Sequence, residues 1–234
     1  MKGKLFLIPC PIAKTNDARE TLSPQVLEAI KSCDLFLVEE LRTARRYISS
    51  LKLGLVIEEL EFFQLNKKTK FEQLFEFMMN HTDKQLGVIS EAGCPAVADP
   101  GSLAVEVAHQ LKMKVVPLVG PSSILLTLMA SGFNGQSFAF QGYLPIDRKA
   151  RESKLKQLEK NALTLRQTQL FMDTPYRNNH VLESIISSCS PDTKLCVAMD
   201  VTGESEYIKT QSIGKWKHQK IDLNKKPVIF ALHI

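Results

Sequence analysis

The chain has 234 residues, 44% hydrophobic and 24% charged, with 30 Lys and Arg against 25 Asp and Glu for a net charge of +5. That is the composition of an ordinary folded soluble protein with room for one large domain or two small ones, and its charge permits a nucleic-acid partner without requiring one. The five cysteines (Cys10, Cys33, Cys94, Cys189, Cys196) are odd in number and form no C-x-x-C pair, which suggests neither a zinc site nor a disulfide frame and favours a reducing cytoplasm.

The apolar run at residues 5–8 is too short for a signal peptide, and no stretch approaches the ~18 apolar residues of a membrane span. A cytoplasmic protein without membrane association is expected. Residues 4–8 read as a strand, stopped by Pro9-Cys10-Pro11. Ser23 as N-cap and Pro24 at the first helical position start a helix that runs to about residue 32. Residues 35–38 read as a buried strand and 42–51 as a polar helix. Residues 71–79 form an amphipathic helix with Phe71, Leu74, Phe75 and Met78 on one face. A strand at 86–89, a helix at 102–112 and a strand at 115–118 follow. This alternation predicts an α/β domain with a mainly parallel sheet.

After Gly120 the pattern changes. Residues 122–130 read as an apolar helix stopped by Gly132, and 137–141 as a strand. Asp147 caps a charged helix over 148–160. A strand at 169–173 leads to a helix that starts at Thr174-Pro175 and reaches residue 187. Strands at 194–199, 207–213 and 227–232 complete a mixed α+β domain. The expected division is 1–118 and 119–234.

The G-x-G-x-x-G fingerprint and the P-loop are both absent. In their place, small-residue turns follow apolar strands. The first, Pro9-Cys10-Pro11-Ile12-Ala13, is a rigid turn or a plain strand terminator. The second, Glu91-Ala92-Gly93-Cys94-Pro95-Ala96-Val97-Ala98-Asp99, lies where ligands bind in open α/β sheets, beyond a strand's carboxyl end. Glu91 and Asp99 suit a ligand amine or hydroxyl, and Asp99 equally suits an Asx-type helix cap. The third, Gly120-Pro121-Ser122-Ser123, opens a helix and suits a carboxylate, with Ser122 as an N-cap the simpler reading.

IPCPI, EAGCPAVADPG, PLVGPSS followed by SGF, FQGYLP and FMDTPYR occur in this order. Together they resemble the S-adenosylmethionine-dependent tetrapyrrole methylase superfamily (class III methyltransferases), and within it the 16S rRNA cytidine 2′-O-methyltransferase I family. The resemblance spans nearly the whole chain. It implies the two-domain class III fold, with S-adenosyl-L-methionine in a cleft between the domains. Pro11 and Ile12 would line that cleft. Ala92, Gly93, Cys94, Pro95 and Val97 would hold the methionine and ribose side. Ser122, Ser123 and Ile124 would follow from the third turn. Met172 would lie under the adenine or sulfonium, with Val201, Thr202 and Pro227 closing the adenine pocket. It also implies a homodimer and small-subunit ribosomal RNA as substrate. Departures from the family pattern occur at Cys10–Lys14, Glu91, Cys94, 173–177, 199–203 and Lys225-Lys226-Pro227, and the family's C-terminal extension has no counterpart before Ile234.

A ribose hydroxyl is a poor nucleophile, so a base assists its methylation; Glu91 and Asp173 are the candidates. Arg177 could hold a phosphate and Tyr176 stack on a base. The bland reading of 173–177 is a helix start. Residues 148–160 carry six basic and two acidic residues, either a phosphate-tracking face or a solvated helix. Lys67-Lys68-Thr69-Lys70 and residues 215–220 add basic groups. None of the five histidines has ligand spacing, so no metal is expected. Two other readings remain open: methylation of a tetrapyrrole-like small molecule, and a non-catalytic cofactor- or RNA-binding relative.

Overall fold

The computed structural model describes residues 3–14 and 17–234. It divides into two compact units, Met1–Ser122 and Ser123–Ile234. The first is a five-stranded parallel sheet of β1 (Lys4–Ile8), β2 (Leu35–Val38), β3 (Glu61–Gln64), β4 (Leu86–Ile89) and β5 (Lys114–Pro117). Its strand order is β3-β2-β4-β1-β5. Every residue of β2 and β4 is buried, as expected of interior parallel strands covered on both faces. The edge strands β3 and β5 each bury only their middle pairs, and those partly.

The crossovers are α1 (Pro24–Ser32), α2 (Leu41–Ser50), α3 (Phe71–Met79) and α4 (Gly101–Gln110). Val26, Ile30, Ala44 and Ile48 of α1 and α2 pack with Ile8, Phe36 and Val38 on one face of the sheet. Leu74, Met78, Ala104 and Val107 of α3 and α4 pack with Leu5, Leu35, Leu37 and Val88 on the other. Pro24 occupies the first turn of α1 as expected, but the Ser23 side chain makes no capping bond. β3 is an element absent from the sequence reading: Phe62 and Phe63 follow the acidic stretch Glu58-Glu59-Leu60-Glu61, and four residues give too short a period to stand out.

The second unit contains β6 (Phe138–Tyr143), β7 (Thr168–Met172), β8 (Lys194–Met199), β9 (Tyr207–Ser212) and β10 (Val228–His233) in the order β6-β7-β10-β8-β9. Only β6 and β7 run parallel, so the sheet is mixed. Alternation along the strands divides its residues between two faces. Leu170, Cys196, Ile229 and Ala231 meet Leu128 of α5 (Ser123–Ser131). Phe171, Leu195, Val197, Phe230 and Leu232 meet Leu155 and Leu158 of α6 (Arg148–Leu165) and Val181 and Ile185 of α7 (Asn178–Ser188).

Candidate active site

All five strands of the first sheet are parallel, so their carboxyl ends share one edge, and the loops there are the natural ligand site. Three of them lock together. Cys10 N–H donates to the Gly93 carbonyl at 2.9 Å and Gly93 N–H donates to the Cys10 carbonyl at 3.0 Å, an isolated antiparallel bridge between the loops after β1 and β4. Gly93 has φ +71°, and a Cβ there would stand 3.2 Å from Ile12 Cγ2 and 3.4 Å from the Pro121 carbonyl oxygen. A Cβ on Gly120 would lie 2.2 Å from the Pro9 ring. Cys94 Sγ points at the Pro121 carbonyl, 3.4 Å away.

The Tyr47 hydroxyl of α2 donates to the Pro9 carbonyl at 2.9 Å and fixes the first loop from behind. Nothing in the sequence singles out Tyr47, which sits in a polar helix with no local partner. Pro11, Ile12, Ala92, Gly93, Cys94 and Pro95 thus belong to one constellation within this unit, with Ala92 exposed and Val97 50% exposed beside it. Ser122 ends the first unit, whereas Ser123 and Ile124 open α5 in the second.

Partial desolvation, opposed by the nearby Thr43 hydroxyl and Glu40 backbone, and the charges of Glu39 and Glu40 raise the Glu91 pKa above the usual glutamate value. Asp99 Oδ1 accepts from Ala96 N–H at 2.8 Å and Gly101 N–H at 2.7 Å, the Asx-type reading offered above. Burial raises its pKa, and Oδ2 is buried without a partner.

In the second unit Met172, Asp173, Val201, Thr202 and Pro227 gather at one sheet end, because β7 and β8 finish where the antiparallel β10 begins. Asp200 N–H donates to the Pro227 carbonyl at 2.9 Å. Thr202 has φ +68°, its N–H donates to Glu206 Oε2 at 2.7 Å, and its hydroxyl is buried without a partner. Asp173 is 5% exposed; its Oδ1 accepts from Thr174 N–H at 2.6 Å, from Arg177 Nε at 2.8 Å and from an Arg177 terminal nitrogen. The pair closes a turn over 174–177, so α7 begins at Asn178 rather than at Thr174 as expected. The turn leaves Tyr176 70% exposed.

The basic helix is less basic than its sequence. Arg151 is 5% exposed and donates to Ser184 Oγ at 3.0 Å and the Ile146 carbonyl at 2.8 Å. Arg148 pairs with Glu152 at 2.8 Å and Lys154 donates to Gln141 at 3.3 Å. Lys149, Lys156 and Lys160 remain exposed on one face of α6. Lys217 and Lys220 line a separate groove of about 590 Å³ with α7. Among the described residues, no group of three or more His, Cys, Asp or Glu side chains could hold a metal ion, and no helix is long and apolar enough to cross a membrane.

No family model matches the chain. It is 25% identical over 232 residues to a Vibrio cholerae protein named ribosomal RNA small subunit methyltransferase I, covering 98% of this chain and 76% of that one. A crystal structure of diphthine synthase superposes with a TM-score of 0.68 at 16% identity, covering 99% of this chain and 90% of that one. The methyltransferase CobJ superposes with a TM-score of 0.65 at 14% identity, covering 99% and 94%. Those structural likenesses carry the fold, and the sequence likeness runs almost end to end. The chain is a homologue of the ribosomal RNA small subunit methyltransferase I proteins, built on the tetrapyrrole methylase fold.

Proposed function

We propose that this protein is an S-adenosylmethionine-dependent methyltransferase acting on ribosomal RNA of the small subunit, with a ribose 2′-hydroxyl as acceptor. The observation that carries the reading is the locked triple turn at the carboxyl edge of the parallel sheet, in a chain similar over nearly all its residues to proteins named ribosomal RNA small subunit methyltransferase I. The turns fit a compact polar ligand: at Gly93 the space a Cβ would fill is already bounded by Ile12 and Pro121, so the peptide itself is the wall.

In the first unit Pro11, Ile12, Ala92, Gly93, Cys94, Pro95, Val97 and Ser122 would hold the cofactor. In the second, Ser123, Ile124, Met172, Val201, Thr202 and Pro227 would do so. When bound, S-adenosylmethionine supplies an electrophilic methyl group. Glu91 is the general base in this reading and takes the acceptor proton; its raised pKa makes it a stronger base than an ordinary glutamate. Asp173 is a positioning residue, since Arg177 and Thr174 already occupy Oδ1. Arg177 then steadies the turn that presents Tyr176 for stacking on a base. The proposal extends to a cytoplasmic homodimer, which sedimentation tests; Met129 of α5, 77% exposed, is apolar surface of the kind a second copy covers.

Titration calorimetry with S-adenosylmethionine tests the cofactor. Native protein should bind at micromolar affinity, and Ala92→Trp, at an exposed position, should abolish binding while leaving the melting temperature unchanged. Cofactor binding followed by methyl transfer to undermethylated small subunits supports the reading. No binding, with or without small-subunit RNA present, sinks it.

A further inference from the structure

The loop after β4 has two sides. Its first half, Ala92–Pro95, joins the locked turns. Its second half faces the loop after the edge strand β3 across an open groove of about 490 Å³. That volume lies within the ~300–1,000 Å³ typical of small-ligand pockets. Asn66, Lys67 and Thr69 line one wall, and Ala98, Asp99 and Ser102 the other.

The polar groups of this groove divide by what they already do. Thr69 Oγ1 accepts from Asn66 N–H at 2.9 Å, and Asn66 Oδ1 accepts from Lys68 N–H at 2.9 Å. Asp99 Oδ1 is filled by two backbone N–H groups, and its Oδ2 is buried out of solvent. The acceptors are thus spent or withdrawn. Among the described residues, the Lys67 ammonium, the Asn66 Nδ2 amide and the Ser102 hydroxyl have no hydrogen-bond partner, and the exposed Lys67 has no ion-pair partner. Lys68 and Lys70, both exposed, adjoin these lining residues in the chain. A groove whose available groups are donors and cations selects an oxygen-rich anion.

We propose that this groove holds a phosphodiester of the RNA strand, with Lys67 as its charge partner and Asn66 and Ser102 as hydrogen-bond donors. The inference rests on the RNA-methylation reading and deepens it. One loop then serves two ligands: Ala92–Pro95 for the cofactor and Ala98–Ser102 for the strand whose hydroxyl is presented near Glu91. The open mouth suits a continuous strand, which must enter and leave, better than a free nucleotide.

The test is binding of fluorescent small-subunit ribosomal RNA transcript across a salt series, for native protein, Lys67→Ala, Lys67→Arg and Lys114→Ala. Lys114 is exposed at the start of β5, on the opposite edge of the sheet. Lys67→Ala should weaken binding about five- to tenfold and lower the log–log salt slope by about 0.7, one phosphate contact on a single strand. Lys67→Arg should restore both, and Lys114→Ala should stay within twofold of native. Cofactor titration should be unchanged in all three variants. Lys67→Ala binding like native, or Lys114→Ala losing as much, overturns the groove while leaving the methyltransferase reading intact. Native protein that binds no RNA at any salt overturns both.

Discussion

Gly93 and Gly120 are both held to glycine, for different reasons. Gly93 needs its left-handed backbone, so Gly93→Ala should cost about 1–2 kcal/mol of stability in a denaturant melt. Gly120 has an ordinary φ but no space, since its Cβ would overlap Pro9; Gly120→Ala should cost about 1–3 kcal/mol and also shift the first turn, weakening cofactor binding. Glu91 is tested by pH. A base works deprotonated, and desolvation with Glu39 and Glu40 raises its pKa, so the acid limb of kcat should lie above the ordinary glutamate range. The same shift means that Glu91 contributes stability in full below its unfolded pKa and loses it as pH rises through the folded value. Glu91→Gln should cut kcat about 10²–10⁴-fold and remove that limb. Glu91 and Gly93 could be singled out as candidates in the sequence because small residues beside an acid follow an apolar strand. Tyr47, Thr43 and Glu40, which shape them, were not, because their partners lie up to 51 residues away in the chain.

Elements were legible where a local rule acted alone. Asp147 caps α6 as its sequence suggests, its Oδ1 accepting Ala150 N–H at 2.8 Å; Asp147→Ala should lower stability by about 1 kcal/mol by thermal melt. The start of α7 was misread because Thr174-Pro175 carries the usual opening signal. A tertiary contact overrides it: Lys225 N–H donates to the Pro175 carbonyl at 3.0 Å, and the Asp173–Arg177 pair draws the chain into a turn first. Asp173→Ala leaves Arg177 unpaired and should cost about 2 kcal/mol, while raising KM for RNA more than it lowers kcat. The charged helix α6 was legible as a helix, but its sequence could not reveal that Arg151 faces inward to Ser184, a residue on a different helix.

For the molecule as a whole, four of the five cysteines are buried and only Cys94 is partly accessible. A native thiol titration at alkaline pH should therefore show one reactive group, slowed at neutral pH by the raised Cys94 pKa and further by S-adenosylmethionine; five should appear on denaturation. The plan of a parallel α/β sheet followed by a mixed α+β unit was readable from the order of strands and helices. The strand order was not, since it depends on which apolar strand finds which neighbour. The bridge between Cys10 and Gly93 is made entirely of main-chain atoms. Neither of its two hydrogen bonds uses a side-chain atom of Cys10. A ligand wall written in peptide groups leaves few side chains under direct chemical constraint. Side chains can drift to one residue in four shared with a relative and still leave such a main-chain bridge its donors and acceptors.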